Sequence, residues 1–266
     1  MKKVALITGA SSGIGEALAK VAAEKGYNLA LIARNADNLE AVASVCRSKG
    51  ADVLAFTGDV SREADCKGFF EAALQKFGTC HVLINNAGIS MRAVFNHTSP
   101  DVLARLMDIN FWGTVYCTKY ALPALLENKG SVVGVSSVAG FKGLPGRTGY
   151  SASKFAMQGF LESLRCENLE TGLHVLIACP GYTASNIRKT ALGKDGSSQK
   201  ETPLDESKLM SAETVAEKIW AAVESRKKYL VLTFKGKMAV WINKWWPGLA
   251  DRLAYNLIKK EPDSPF

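Results

Sequence analysis

Tyr150 and Lys154 stand four residues apart in a segment with helical spacing, so a phenol and an ammonium share one helix face. A tyrosine hydroxyl near its ordinary pKa of about 10 is a poor acid–base catalyst at neutral pH. A neighbouring ammonium favours the phenolate and lowers that pKa. Taken alone, Tyr-x-x-x-Lys is more often a surface pair. Ser137 changes the weighting, because it places a hydroxyl at the end of an apolar run thirteen residues before Tyr150.

A second feature speaks of a ligand. In "VALITGASSGIGEALAK", Gly9, Gly13 and Gly15 lie in one turn between an apolar run and a helical pattern. Helix N-terminal amides attract an anion, and glycines let a pyrophosphate approach the backbone. The Gly-x-x-x-Gly-x-Gly spacing differs from the usual dinucleotide fingerprint, but the strand-then-helix context is the required one.

The elements that would position these groups repeat along the first two-thirds of the chain. Short apolar runs at Val4–Ile7, Leu29–Ala33, Val53–Thr57, Val82–Ile84, Val132–Ser136 and Val175–Ala178 read as buried parallel strands. Helical patterns fill the gaps, such as Ile14–Lys25 stopped by Gly26 and Asn38–Lys49 stopped by Gly50. The expected fold class is α/β, a single-domain, Rossmann-like doubly wound parallel sheet with helices on both faces, its ligands at the carboxyl ends of the strands. Residues 1–234 form that domain, and 235–266 a helical extension of it. Within it, Thr183–Met210 is polar and weakly periodic, either a substrate lid or a disordered loop.

The chain has 266 residues, 47% hydrophobic and 22% charged, enough to bury a core without staples. Its net charge of +8 favours anionic ligands or surfaces, but the basic residues are dispersed and no nucleic-acid motif is present. The six cysteines lack C-x-x-C spacing and read as small hydrophobes in a reducing compartment. The three histidines form no ligand cluster, and no metal is expected. The apolar run in "MKKVALI" is too short for a secretory signal, and no stretch is long enough to span a bilayer. A cytoplasmic protein, peripheral at a membrane at most, is expected.

The motifs in their order resemble the short-chain dehydrogenase/reductase family over about residues 3 to 232: "TGASSGIG", "NNAG" (Asn85–Gly88), Asn110, Ser137, "YSASK" (Tyr150–Lys154) and "PGYT" (Pro180–Thr183). The resemblance implies a nicotinamide cofactor bound by Gly9, Ser11, Ser12, Gly13, Ile14 and Gly15, by Asp59 and Val60, by Asn86, Ala87 and Gly88, by Tyr150 and Lys154, and by Pro180, Gly181 and Thr183. It implies catalysis by Asn110, Ser137, Tyr150 and Lys154. Tyr150 would protonate the carbonyl oxygen that Ser137 holds. Lys154 would lower the pKa of Tyr150 and bind the nicotinamide ribose, and Asn110 would help hold a proton-relay water. Thr183 would hydrogen-bond the carboxamide. For Asp59 an N-cap role competes with an adenine contact, since a helix starts just beyond.

Cofactor choice is read at "LIARN". An acid at the end of the second strand selects NAD. Here Ala33 stands at that position and Arg34 follows, a guanidinium suited to a 2′-phosphate and to stacking on adenine. NADP (NADPH) is therefore expected over NAD, although Ser12 stands where many NADP-preferring relatives place a second basic residue.

The far end narrows the branch. "KKYLVLTFKGKMAVWINKWWPGLADRL" resembles the 11β-hydroxysteroid dehydrogenases and related lipid-ketone reductases, which implies a lipophilic ketone or secondary alcohol as substrate. Runner-up readings are a 3-oxoacyl-thioester reductase and a non-catalytic nucleotide-binding regulator. Ser90, Met91, Val138, Ala139, Leu144 and Tyr182, near the motifs, are expected to line the substrate pocket with Ser137 and Tyr150. In the tail, Met238, Trp241, Ile242 and Trp245 share one helical face flanked by Lys235, Lys237 and Lys244, and Leu249, Leu253 and Leu257 make a second stripe. Such helices suit a membrane interface, or packing on their own domain or on a partner subunit. The resemblance implies a homodimer or homotetramer built on the helices before and after Ser137.

Overall fold

The computed structural model describes residues 2–183, 186–199, 209–261, 264 and 266. Seven strands, β1 (Val4–Thr8), β2 (Asn28–Ala33), β3 (Val53–Thr57), β4 (Val82–Asn85), β5 (Ser131–Val135), β6 (His174–Cys179) and β7 (Tyr229–Val231), form one parallel sheet in the order β3-β2-β1-β4-β5-β6-β7. The order reverses direction at β1, between β2 and β4, so a crevice opens above that point at the carboxyl ends of the strands.

The connections are helical: α1 (Gly13–Glu24), α2 (Ala36–Ser48), α3 (Glu63–Phe77), α4 (Pro100–Met107), α5 (Gly113–Glu127), α6 (Thr148–Glu167) and α7 (Ala212–Glu224), with a π-helical turn at Asp108–Trp112 joining α4 to α5. Two more helices close the chain, α8 (Phe234–Trp245) and α9 (Pro247–Lys259). The helix starts fall one or two residues earlier than the periodicity indicates. At α2 the reason is the Asn35 side chain, which accepts from the Asn38 N–H (2.8 Å) and caps the helix there. Gly26 and Gly50 adopt positive φ after α1 and α2, which only glycine does readily.

Alternation along the strands feeds two cores. Ala5, Ile7, Leu29 and Leu31 pack under α1, α2 and α7, while Val4, Leu6, Ala30 and Ile32 pack under α3, α5 and α6. On the first face Trp220 of α7 is fully buried, lies 4.8 Å from the Tyr27 ring, and donates from Nε1 to the Leu18 carbonyl (3.0 Å). On the second, α6 comes down on β5 at Gly134, where a Cβ would sit 2.3 Å from Leu161. Five of the six cysteines are buried as expected, but Cys166 on α6 is exposed. No helix among the described residues is long and apolar enough to cross a membrane.

Of the 183–210 segment, residues 184–185 and 200–208 lie outside the described residues. In the remainder, Leu192 bridges to Met91 and Thr183 to Met210.

The C-terminal hairpin corrects one expectation. On α9 the small residues face inward, with Ala250 and Ile258 buried, whereas Leu249, Leu253 and Leu257 face solvent. On α8, Gly236 is buried while Phe234, Met238, Trp241 and Trp245 stand exposed, Trp241 at 51% and Trp245 at 60%. Phe234, Met238, Trp241, Trp245 and the Leu249, Leu253 and Leu257 stripe therefore stay open to solvent, while Ile258 seats on the domain. Polar groups tie the hairpin down: Asn243 Nδ2 donates to the Phe141 carbonyl (2.9 Å), Lys142 pairs with Asp251, and Arg147 pairs with Glu261 (3.0 Å).

Candidate active site

Ser137, Tyr150 and Lys154 meet at the carboxyl edge of β5. Ser137 caps a 3-10 turn, Val138–Gly140, its Oγ accepting from the Ala139 N–H (3.1 Å). Its hydroxyl lies near the Tyr150 phenol and pulls that group's pKa down. Lys154 is buried and donates from Nζ to the Val135 carbonyl (2.9 Å), with its ammonium 5.9 Å from the Tyr150 ring centre. Gln158, one turn further along α6, holds this edge from below. Its Nε2 donates to Ser136 Oγ (2.9 Å) and the Ser137 carbonyl (3.3 Å). A Cβ on Gly140 would lie 2.3 Å from that nitrogen, so only glycine lets the two approach.

Burial pushes the Tyr150 phenol up, while the nearby Ser137 hydroxyl and the Arg147 guanidinium pull it down. Burial also pushes Lys154 down, to about 8. Its ammonium points at a backbone carbonyl and loses much of its hydration.

Asn110 lies in the π-helical turn, where the widened backbone turns its side chain across the site. Its amide is fully engaged. Oδ1 accepts from the Ile89 N–H (2.8 Å), and Nδ2 donates to the Ile89 carbonyl and to Ser153 Oγ (both 2.9 Å). The Ser153 hydroxyl donates in turn to the Tyr150 carbonyl (2.8 Å). Asn110 therefore couples the segment after β4 to the start of α6.

The glycine turn is built for close approach. Gly9 and Gly13 have positive φ, and a Cβ on Gly15 would lie 2.1 Å from the Gly9 carbonyl oxygen and 2.5 Å from Asn86 Nδ2. The Ser12 N-cap makes no side-chain bond to the first turn of α1, so its hydroxyl and the leading N–H groups remain for an anion. Ser11, Gly13 and Ile14 are part-exposed around it. This donor set fits a pyrophosphate. The Asn86 Nδ2 donates to the carbonyls of Thr8 (3.0 Å) and Gly9 (3.2 Å). Thr8 Oγ1 accepts from the N–H groups of Asn86 (3.0 Å) and Ala87 (2.9 Å). Both side chains clamp the turn. Gly88 sits beside Asn110 and Lys154, its ideal Cβ position 3.2 Å and 3.4 Å from them.

At the end of β2 the Arg34 guanidinium is exposed, 3.9 Å from Asp59 Oδ2. Asp59 is not a helix N-cap, because α3 begins four residues on, after Arg62. Its Oδ1 instead accepts from the N–H (3.0 Å) and hydroxyl (2.9 Å) of Ser61. Val60 is buried against Gly113. At the end of β6, Pro180 is buried, Gly181 is pressed against Thr233, and Thr183 Oγ1 donates to the Gly181 carbonyl (3.2 Å).

The residues expected to line the substrate side divide. Ser90, Val138, Leu144 and Tyr182 keep accessible surface around the site. Met91 and Ala139 are fully buried: Met91 accepts the Gly149 N–H on its sulfur and packs beneath α6, and Ala139 lies inside its 3-10 turn. Neither lines an open pocket.

The model of the family described as short chain dehydrogenase matches residues 3–195, which covers the sheet through β6 and every motif from the glycine turn to Pro180–Thr183. The chain belongs to the short-chain dehydrogenase/reductase family. Among its relatives, 11-beta-hydroxysteroid dehydrogenase-like 2 of Arabidopsis thaliana is 44% identical over 70% of this chain, a match spanning 60% of that protein's own length. Dehydrogenase/reductase SDR family member 7B of Mus musculus is 37% identical over 98% of this chain and 83% of its own. Two solved structures share the fold. One is an alcohol dehydrogenase from Thermococcus sibiricus complexed with 5-hydroxy-NADP, at TM-score 0.77 and 26% identity over 87% of this chain and 96% of that one. The other is a short-chain dehydrogenase/reductase from Burkholderia phymatum in complex with NAD, at TM-score 0.82 and 26% identity over 93% and 95%.

As a short-chain dehydrogenase/reductase the chain is an oxidoreductase with a nicotinamide-binding fold. Several residues that build its site escape a motif reading. Gln158 had a signal, since it follows Lys154 by four on the same face of α6. Thr8 had a weaker one, as the last strand residue before the turn.

Proposed function

We propose that the protein is an NADP(H)-dependent reductase that interconverts a lipophilic ketone and its secondary alcohol. The observation that carries this reading is the meeting of Ser137, Tyr150 and Lys154 at the same sheet edge as a glycine turn shaped for a pyrophosphate. The cofactor would be held by the α1 first turn, by Arg34 and Asp59 at the adenosine end, and by Lys154 and Thr183 at the other. When bound, the nicotinamide gives or takes the hydride at the reacting carbon. The chain's own residues do the rest. Ser137 and Tyr150, side by side at this edge, close on one substrate oxygen. The proton that makes the alcohol leaves Tyr150 Oη, and Ser137 stabilises the charge that develops on that oxygen. Asn110 keeps the segment after β4 in register with α6 through Ile89 and Ser153.

NADP rather than NAD is supported by Arg34, exposed at the β2 edge where an acid would repel a 2′-phosphate. Arg34→Asp is expected to weaken NADPH relative to NADH by about tenfold, the worth of a charge-assisted hydrogen bond. Titration of both cofactors checks this, and an unchanged ratio removes the argument.

A lipophilic substrate is supported by the hairpin. We read it as an extension, residues 235–266, of the one domain formed by residues 1–234. Between Phe234 and Glu261 it holds six basic and two acidic residues, +4 of the chain's +8, next to exposed Trp241, Trp245 and Leu253. Indoles and lysines on one surface match an anionic lipid headgroup layer, so the protein would work in the cytoplasm as a peripheral membrane enzyme. Vesicles with anionic lipid should co-sediment the wild type and release the double variant Trp241→Glu/Trp245→Glu. Equal binding by both would rule the hairpin out as the contact.

A second copy of the chain is the partner proposed for the α5–α6 face, where Trp112, stacked on Tyr116, and Phe155 stand exposed. Sedimentation velocity should show a dimer or tetramer for the wild type and a smaller species for Phe155→Lys.

A further inference from the structure

Beside the proposed catalytic groups lies a charged cluster that proton and hydride transfer do not use. Arg92 Nη2 is 3.5 Å and Arg147 Nη2 3.0 Å from Glu261 Oε2, and Arg147 Nη2 is 3.2 Å from Oε1. The three side chains are deeply buried, with 10%, 13% and 5% of their surface exposed. The Tyr182 phenol stands near the same cluster, its pKa affected by both the Arg147 and the Glu261 charges, although the residue is 42% exposed. The donors come from three separate segments around the site: Arg92 just after Ser90, Arg147 three residues before Tyr150, and Tyr182 inside "PGYT". The Arg147 charge is felt at both the Tyr150 and the Tyr182 phenols. Arg92 also lines an open recess of about 470 Å³ with Val94, His97, Lys194, Asp195 and Gln199.

One salt bridge would suffice to hold the end of α9. Here two buried guanidiniums meet one carboxylate, and Arg147 Nη1 is buried with no partner among the described residues. A buried guanidinium nitrogen that lacks an acceptor, as Arg147 Nη1 does here, is costly. The guanidinium forks suit a carboxylate or a phosphate, which offers more acceptor oxygens than one glutamate.

We propose that Arg92, Arg147 and Tyr182 form the subsite for an anionic group, carboxylate or phosphate, at one end of the lipophilic substrate, and that Glu261 is its internal stand-in, displaced when substrate binds. This rests on the reductase reading and adds that the ketone is a charged amphiphile. Displacement frees the end of α9 and opens the site toward the recess beside Arg92. No covalent step is involved.

The test uses the full chain saturated with NADP⁺ and three calorimetric probes: decyl phosphate, decanol and inorganic phosphate. Decyl phosphate should bind at least about tenfold more tightly to Glu261→Gln than to the wild type, and at least about tenfold more weakly to Arg147→Gln, as expected for gaining or losing a charge-assisted bond. Decanol should not distinguish the three proteins. In the wild type, decyl phosphate but not decanol should speed hydrogen exchange at residues 258–261, a response that a purely structural latch does not give and that needs no variant to fold. Equal affinity in all three proteins, or slower exchange at 258–261, overturns the proposal. Inorganic phosphate binding as tightly as decyl phosphate would assign a free-anion site and overturn the substrate reading. The reductase reading fails separately, by unchanged turnover in Tyr150→Phe, whatever decyl phosphate does.

Discussion

Tyr150→Phe leaves a folded protein that binds NADPH normally and reduces ketones about 10²- to 10⁴-fold more slowly, the usual loss when a positioned general acid is removed. The expectation is sharp because the substitution takes away one atom. The ring stays packed beside Lys154, whose ammonium remains on the Val135 carbonyl. Ser137 keeps its bond to the Ala139 N–H. The Asn110–Ser153 link reaches Tyr150 through its backbone carbonyl, which phenylalanine retains. The loss of NADPH absorbance with a panel of steroid, long-chain acyl and aromatic ketones reads the rate, and quenching of protein fluorescence reads cofactor binding. Undiminished turnover would mean that another group protonates the oxygen. NADPH binding with no turnover by the wild type on any ketone would favour a nucleotide-binding regulator.

Gly15→Ala should abolish useful cofactor binding by a different route. The added methyl would stand 2.1 Å from the Gly9 carbonyl oxygen, 2.5 Å from Asn86 Nδ2 and 2.8 Å from the Gly9 carbonyl carbon. Two of these are backbone atoms of a turn already pinned to β2, where the Gly9 N–H meets the Ile32 carbonyl (2.9 Å). The third belongs to the side chain that clamps that turn. Nothing in this shell is a flexible chain end, so α1 must lift from the turn. Overpacking of a site that cannot yield costs about 1–3 kcal/mol or more, which corresponds to a cofactor affinity lower by about a hundredfold. Calorimetric titration with NADPH checks it. An affinity within about twofold of the wild type would show that the turn is looser than its contacts indicate. Gly143→Ala, where the added methyl meets nothing, serves as the control.

How much could be read beforehand depended on whether a feature was local in the chain. The strands were legible because each is a short continuous apolar run, and the glycine turn because it sits between such a run and a periodic helix. Ser137, Tyr150 and Lys154 lie within eighteen residues and two adjoining elements. What stayed hidden was local pattern with two meanings. Leu249, Leu253 and Leu257 repeat every four residues on α9, but so do Ala250, Ala254 and Ile258. Periodicity marks both stripes, and only packing decides that the smaller one faces inward. Asn86 was legible as a site residue but not as a clamp, since its partners Thr8 and Gly9 are distant in sequence. The meeting of Arg147 with Glu261, 114 residues away, has no local trace.

The contact between Trp220 and Leu18 has a consequence for the order in which the molecule assembles. It joins residues 202 apart, and α1 and α7 cover the same face of the sheet. The central strands can pair and the early helices can form while the stripe of Leu18, Ala19 and Ala22 still faces water, because its cover is made last. Closing so long a loop is entropically costly until the Trp220 side chain seats, which favours slow, late consolidation of that face. The α1 segment, synthesised long before its cover α7, is therefore among the last parts to become fully native, and its exposed stripe is the surface through which unfinished molecules would stick to one another.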